Sequence, residues 1–183
     1  AVVTISFKIA RSSSSTDAIG VVVASEGPVS AQVGLDRRQL TDRGFDGRVG
    51  QTMVLHGLAG SRVVIAVGIG DPRKFGPTEA RLAAAALARA AGRAGTLATS
   101  LADAGRGNRA AIAQAVVEGI RLATHRWVEL KNDKGGASKL KEVVLTTSAA
   151  NNAAVTSGVA RGITVSDAVC MARDLANMQI GRA

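Results

Sequence analysis

The sequence predicts an α/β fold in three layers: a mixed, mostly parallel sheet with helices on both faces. Three observations carry that expectation. Runs rich in β-formers alternate with longer stretches of helical periodicity, the pattern of strand–helix–strand units. Two strand-like runs, Thr52–His56 and Arg62–Val67, are separated only by the Gly-containing stretch Gly57–Ser61, which reads as a hairpin and makes the sheet mixed. The chain is 183 residues long and 46% apolar, enough for one domain that buries about 70% of its unfolded surface.

The elements follow in order. Val2–Ile9 is β-rich, and the polar run Arg11–Asp17 breaks it. Ile19–Ala24 is a short continuous apolar run, as expected of a strand covered on both faces. After the Gly27-Pro28 turn, Leu35–Arg43 predicts a short helix with Gly44 as its stop signal. Beyond the hairpin, Pro77-Thr78-Glu79 opens a helix, with Thr78 as the expected cap, running to about Gly95. Arg81, Arg89 and Arg93 recur at multiples of four, which predicts one shared outer face. Leu97–Leu101 is the next expected strand. Asn108 caps a helix in which Ile112, Val116, Gly119, Ile120 and Ala123 repeat at helical spacing. Asn132–Lys139 is a polar loop and Lys141–Thr147 a strand. A long helix begins at Asn151 or Asn152 and reaches Asn177, with Val155, Val159, Ile163, Val169 and Leu175 along it.

Charge and cysteine usage narrow the function classes. Aromatic residues are limited to Phe7, Phe45, Phe75 and Trp127, so the core must be aliphatic and close-packed. The net charge of +9 raises the prospect of an anionic partner, DNA among them, because lysine and arginine release counterions from phosphates. The face expected for it comprises Arg81, Arg89 and Arg93 with Lys131, Lys134, Lys139 and Lys141 around Gly135-Gly136. An acidic partner domain accounts for the same charge, and RNA recognition would call for stacking aromatics that are scarce here. Cys170 is the only cysteine, which excludes an intrachain disulfide; it reads as a buried structural thiol. No signal-peptide pattern opens the chain and no run approaches 18 apolar residues, so a cytoplasmic protein without a membrane partner is expected.

Candidate chemistry is sparse. Gly68-x-Gly70 after a strand invites a dinucleotide reading, but position 73 is Arg and Pro72 intervenes, so a glycine pair closing a buried strand is favoured. His56 and His125 show no metal-ligand spacing. No serine sits in a nucleophile elbow. Asp71, Asp103, Asp167 and Asp174 are scattered; Asp167 and Asp174 share a helix face, where an ion pair or domain contact explains them as well as a metal would.

Four stretches in order carry a resemblance. Gly44-Phe-Asp-Gly-Arg-Val-Gly-Gln-Thr-Met-Val-Leu-His56, then Arg62-Val-Val-Ile-Ala-Val-Gly-Ile-Gly70, resemble the "G-x-x-G-K-x-G-Q" turn and "V-G-L-G" strand end of the amino-terminal domain of the M17 leucyl aminopeptidases, the cytosol aminopeptidases. Ile120-Arg-Leu-Ala-Thr-His-Arg-Trp-Val-Glu-Leu-Lys131 and Ala172-Arg-Asp-Leu-Ala-Asn177 are similar to two further family segments, the second to "A-R-D-L-x-N". Where the family continues into a Pro-rich turn, this chain reads Met178-Gln-Ile-Gly.

The resemblance implies a macro-domain-like fold over residues 1–178, with 179–183 beginning an interdomain linker. It implies a non-catalytic domain that helps build a hexamer and frames access to the active site. The partner would be a carboxyl-terminal catalytic domain holding two divalent metals, Mn or Zn, and removing N-terminal amino acids from peptides. The family's ligand-bearing "N-T-D-A-E-G-R" segment has no counterpart here, so no catalytic or metal residue is carried over and no cofactor is expected in this chain. The resemblance also raises DNA binding, known among bacterial members, and the ADP-ribose binding of macro-like folds as alternatives.

Overall fold

A computed structural model describes residues 5–12, 15–59, 62–126, 138–148 and 153–178. Among these, six strands form one sheet: β1 (Ser6–Ala10), β2 (Ala18–Ala24), β3 (Thr52–Ala59), β4 (Arg62–Gly70), β5 (Thr96–Thr99) and β6 (Glu142–Thr146), in the order β1-β6-β5-β2-β4-β3. Every pairing is parallel except β3 with β4, the expected hairpin. That hairpin is tighter than the sequence indicated: β3 runs on through Gly57 to Ala59, which pairs with Arg62.

Alternation along β2 divides the core in two. Ala18, Gly20 and Val22 point to the layer of α2 (Pro77–Ala90), α3 (Arg109–Thr124) and α4 (Ala153–Asn177); Ile19, Val21 and Val23 point the other way. There they meet Val33, Leu40 and Phe45, brought in by a 3-10 turn at Ala31–Val33 and by the short helix α1 (Arg37–Asp42). The two faces are thus covered unequally, by three long helices and by one short one. Asp36 caps α1 reciprocally with Gln39, and Gly44 follows at φ +78° as its stop.

The helices differ from expectation at their ends. Gly76, not Thr78, caps α2: its N–H donates to the Glu79 carboxylate at 3.0 Å, and Pro77 occupies the first turn, where its missing donor costs nothing. The helix ends at Ala90 rather than near Gly95, because residues 91–94 close on themselves through Ala94 N–H to Ala91 O. Asn108 caps α3 as expected, accepting from the Ala110 and Ala111 amides. Strand β5 stops at Thr99, and Leu101 begins a 3-10 turn instead. On α4, Val155 and Val159 are buried and Ile163 and Val169 half-buried, but Leu175 faces out.

Glycine sets the spacing of the helix layer. A Cβ at Gly119 would overlap the Arg81 carbonyl oxygen of α2, and one at Gly158 the Ala110 carbonyl oxygen of α3. A Cβ at Gly162 would stand 2.8 Å from the Gln114 oxygen and the Val117 Cβ. Backbones therefore approach without intervening side chains, which suits a core containing so many alanines. Gly158→Val is expected to lower the unfolding free energy by about 3 kcal/mol, the upper part of the overpacking range, because the obstructing atom is backbone. Ala160→Val, on the exposed side of the same helix, should change it by less than about 1 kcal/mol. Urea midpoints compare the two; equal losses would show that the α3–α4 approach does not limit packing.

Candidate functional site

The ends of the parallel strands are where open α/β sheets place ligands, so the glycines there come first. Residues 44–51 form a turn that lies across the ends of β2 and β4. Gln51 holds it together: its Nε2 donates to Gly44 O at 2.6 Å, while its Oε1 accepts from the amides of Asp46 at 2.9 Å and Arg48 at 3.3 Å. Gly47, at φ +75°, leaves no room for a Cβ beside the Ala24 carbonyl, and Gly68 lies directly under the backbone of Gly47 and Arg48. Gly70 N–H donates to Gly47 O. The Gly68-x-Gly70 pair thus receives a loop of its own chain where a dinucleotide reading would place phosphate. Phe75, 3% exposed, fills the neighbouring position against Gly105.

The carboxylates are engaged one by one. Asp103 accepts from the Thr147 hydroxyl at 2.5 Å and from the Ser148 amide at 2.9 Å, tying the end of β6 to the turn after β5. Glu118, 5% exposed on α3, takes both the Nε and an Nη of Arg81 and, on its other oxygen, the Gln114 amide. Asp167 pairs with the buried Arg121, and Asp174 Oδ1 lies 2.9 Å from His125 Nε2, close enough for an ion pair though off the angle of a hydrogen bond. The shared face of Asp167 and Asp174 is therefore a contact with α3. Among the described residues no three of His, Cys, Asp and Glu stand together as a metal-binding group. Burial pushes the Cys170 thiol up, which keeps it protonated and poorly nucleophilic. The backbone of His56 is in β3; its side chain lies outside the described residues.

Of the basic residues expected on one face, Arg81, Arg89, Arg93, Lys139 and Lys141 are among the described residues. Arg81 turns toward α3 to meet Glu118, a partner 37 positions away that periodicity cannot reveal. Arg93 lies beyond the end of α2. Backbone bonds bring a different set together: Lys139 N–H donates to Gly92 O and Lys141 N–H to Gly95 O, each at 2.8 Å. Exposed Lys139 and Lys141 thereby flank the exposed Arg93, with Arg89 one turn back on α2. Lys131 and Lys134 lie outside the described residues.

Asp17 anchors this basic end. Its carboxylate accepts from the Gly95 and Thr96 amides at 3.0 and 2.9 Å, and hydrogen bonds from the Thr96 side chain first, then these amides, hold it below the usual carboxylate range. A depressed folded-state pKa contributes stability above the unfolded value, about 3.9, and loses it as pH falls through the folded value. Asp17→Asn should therefore be less stable than the parent at neutral pH, the difference shrinking in acid. Urea midpoints measured from pH 7 down to pH 3 check this; a gap that persists unchanged at the acid end would contradict it.

Comparison with known proteins places this geometry. Residues 30–134 match the model of the cytosol aminopeptidase family, N-terminal domain. The chain is 33% identical over 170 residues to a probable cytosol aminopeptidase of Mycobacterium leprae (strain TN), covering 91% of this chain and 32% of that protein. Among solved structures, the bottromycin maturation enzyme BotP superposes with a TM-score of 0.74 at 32% identity, covering 91% of this chain and 34% of that one. A tomato leucine aminopeptidase mutant superposes with a TM-score of 0.72 over 96% of this chain and 38% of that one; at 15% identity it shows the fold alone. The chain spans about a third of the length of the curated relatives it matches. By its family match, its sequence relatives and its fold, the chain belongs to the cytosol aminopeptidase family, as the N-terminal domain.

Proposed function

We propose that this chain is the non-catalytic N-terminal domain of a cytoplasmic, metal-dependent aminopeptidase, where it serves oligomer assembly and access to the active site of a C-terminal catalytic domain. The observation that carries the reading is the engagement of Asp103, Glu118, Asp167 and Asp174 in holding secondary-structure elements together. Asp103, Glu118 and the pair Asp167 and Asp174 sit at three different seams of the fold and do not fit a two-metal centre, which needs donors converging on ions about 3.5–4 Å apart. One solved relative, BotP, is recorded in complex with Mn; it is 31% identical to this chain, which covers 33% of it. The metals of the parent enzyme therefore belong, in this reading, to the two-thirds of the family length that lies outside this domain. Among the described residues no helix is long and apolar enough to cross a membrane.

The purified chain should release no nitroaniline from leucyl p-nitroanilide, with or without millimolar Mn²⁺ or Zn²⁺. Joined ahead of the remaining two-thirds of the M. leprae relative, it should sediment as a hexamer and show metal-dependent turnover. Turnover by the chain alone, or an active chimera that stays monomeric, would contradict the catalytic and the assembly parts of the reading respectively.

A further inference from the structure

The last turns of α4 present large apolar side chains that this chain leaves uncovered. Met171 is 62% exposed, Leu175 58% and Met178 48%. Positions 171, 175 and 178 recur at the i, i+4, i+7 spacing and so form one line along the helix, extended toward its N-terminus by the exposed Ala168 and Thr164. The side of α4 that meets α3 is a different line, made of Val155, Gly158, Val159, Gly162, Ser166 and Cys170. Between the two lines stand Asp167 and Asp174, tied to Arg121 and His125 of the α3 segment, while Arg173 donates to the Leu122 carbonyl. Asp167–Arg121 and Arg173–Leu122 set the rotation of α4 against α3, and the Met-Leu-Met line faces outward.

Resting on the reading above, we propose that this line is the seat of the catalytic domain that follows the matched domain in the longer relatives. The family model is of an N-terminal domain and the chain covers 32% of the M. leprae relative, so most of that relative's length lies beyond the matched domain. A seat of three side chains is small beside the roughly 1,200–2,000 Å² that free protein pairs bury, which argues against a second copy of this chain as its occupant. A tethered domain meets it at an effective concentration of order millimolar and needs less area. Methionine is suited to such a seat, since its unbranched side chain adapts to a partner's relief.

The test compares peroxide oxidation of Met171 and Met178, read by mass spectrometry, in the chain alone and in the chimera with the remaining two-thirds of the M. leprae relative. Both methionines should oxidise at least tenfold more slowly in the chimera, while the half-buried Met53 on β3 keeps its rate. Leu175→Lys should restore oxidation of both in the chimera and leave the melting temperature of the isolated chain unchanged. Unchanged rates in a chimera that turns over leucyl p-nitroanilide would overturn the seat and leave the domain assignment standing. Unchanged rates in an inactive chimera would overturn both.

Discussion

The close approach of helix backbones is the constraint on which the rest of this structure depends. With four aromatic residues in 183, the core has little bulk with which to fill a wide interlayer space. The chain resolves this by bringing α2, α3 and α4 together at Gly119, Gly158 and Gly162, where a side chain of any size would strike a neighbouring backbone or side chain. Each glycine inside a helix costs about 1 kcal/mol relative to alanine. That cost is offset by the dispersion contacts of the close approach and by burial of alanines such as Ala83, Ala84, Ala113 and Ala115, all 0% exposed. On the sheet side Gly20 does the same for Leu87, whose methyl carbon would lie 2.5 Å from a Cβ there.

The polar contacts follow from that spacing. Only closely set helices allow Arg81 of α2 to reach Glu118 of α3 at 2.6 Å, or Asp167 and Asp174 of α4 to reach Arg121 and His125. Glu118 is the buried case: removing Arg81 would leave its charge uncompensated. The segments that carry the family resemblance belong to the same scheme. The turn of residues 44–51, with Gln51 bonded to three backbone groups and Gly47 and Gly68 in backbone contact, seals the ends of β2 and β4. The segment Ala172–Asn177 supplies the final anchoring contacts of α4, through Arg173 and Asp174.

What could be read in the sequence was governed by local chemistry. The continuous apolar run of β2, the hairpin, the Asn108 cap and the stop at Gly44 each depend on residues within a few positions of one another, and each is present, though β3 runs further into the hairpin than the sequence places it. What escaped was set by contacts distant in sequence. Arg81 recurs with Arg89 along α2, yet its guanidinium bonds to Glu118, 37 positions away. Lys139 and Lys141 gather beside Arg93 because their amides pair with Gly92 and Gly95, which no periodicity encodes. Leu175 is apolar like Val155 and Val159, yet it lies on the opposite side of α4 from them and faces out. The carboxylates Asp103, Asp167 and Asp174 were legible as scattered; the partner of each was not.

If those carboxylates are structural, they offer divalent metal no site in the folded state. A ligand that binds only the native state raises stability by RT ln(1 + [L]/Kd), about 2.7 kcal/mol at a hundredfold excess over Kd. The most direct measurement is therefore the melting temperature of the 183-residue chain as Mn²⁺ is raised from zero to millimolar concentration. A non-catalytic domain gives a flat line. A saturable rise with metal concentration, lost on substituting Asp103 or Glu118, would show that the chain carries a metal site after all.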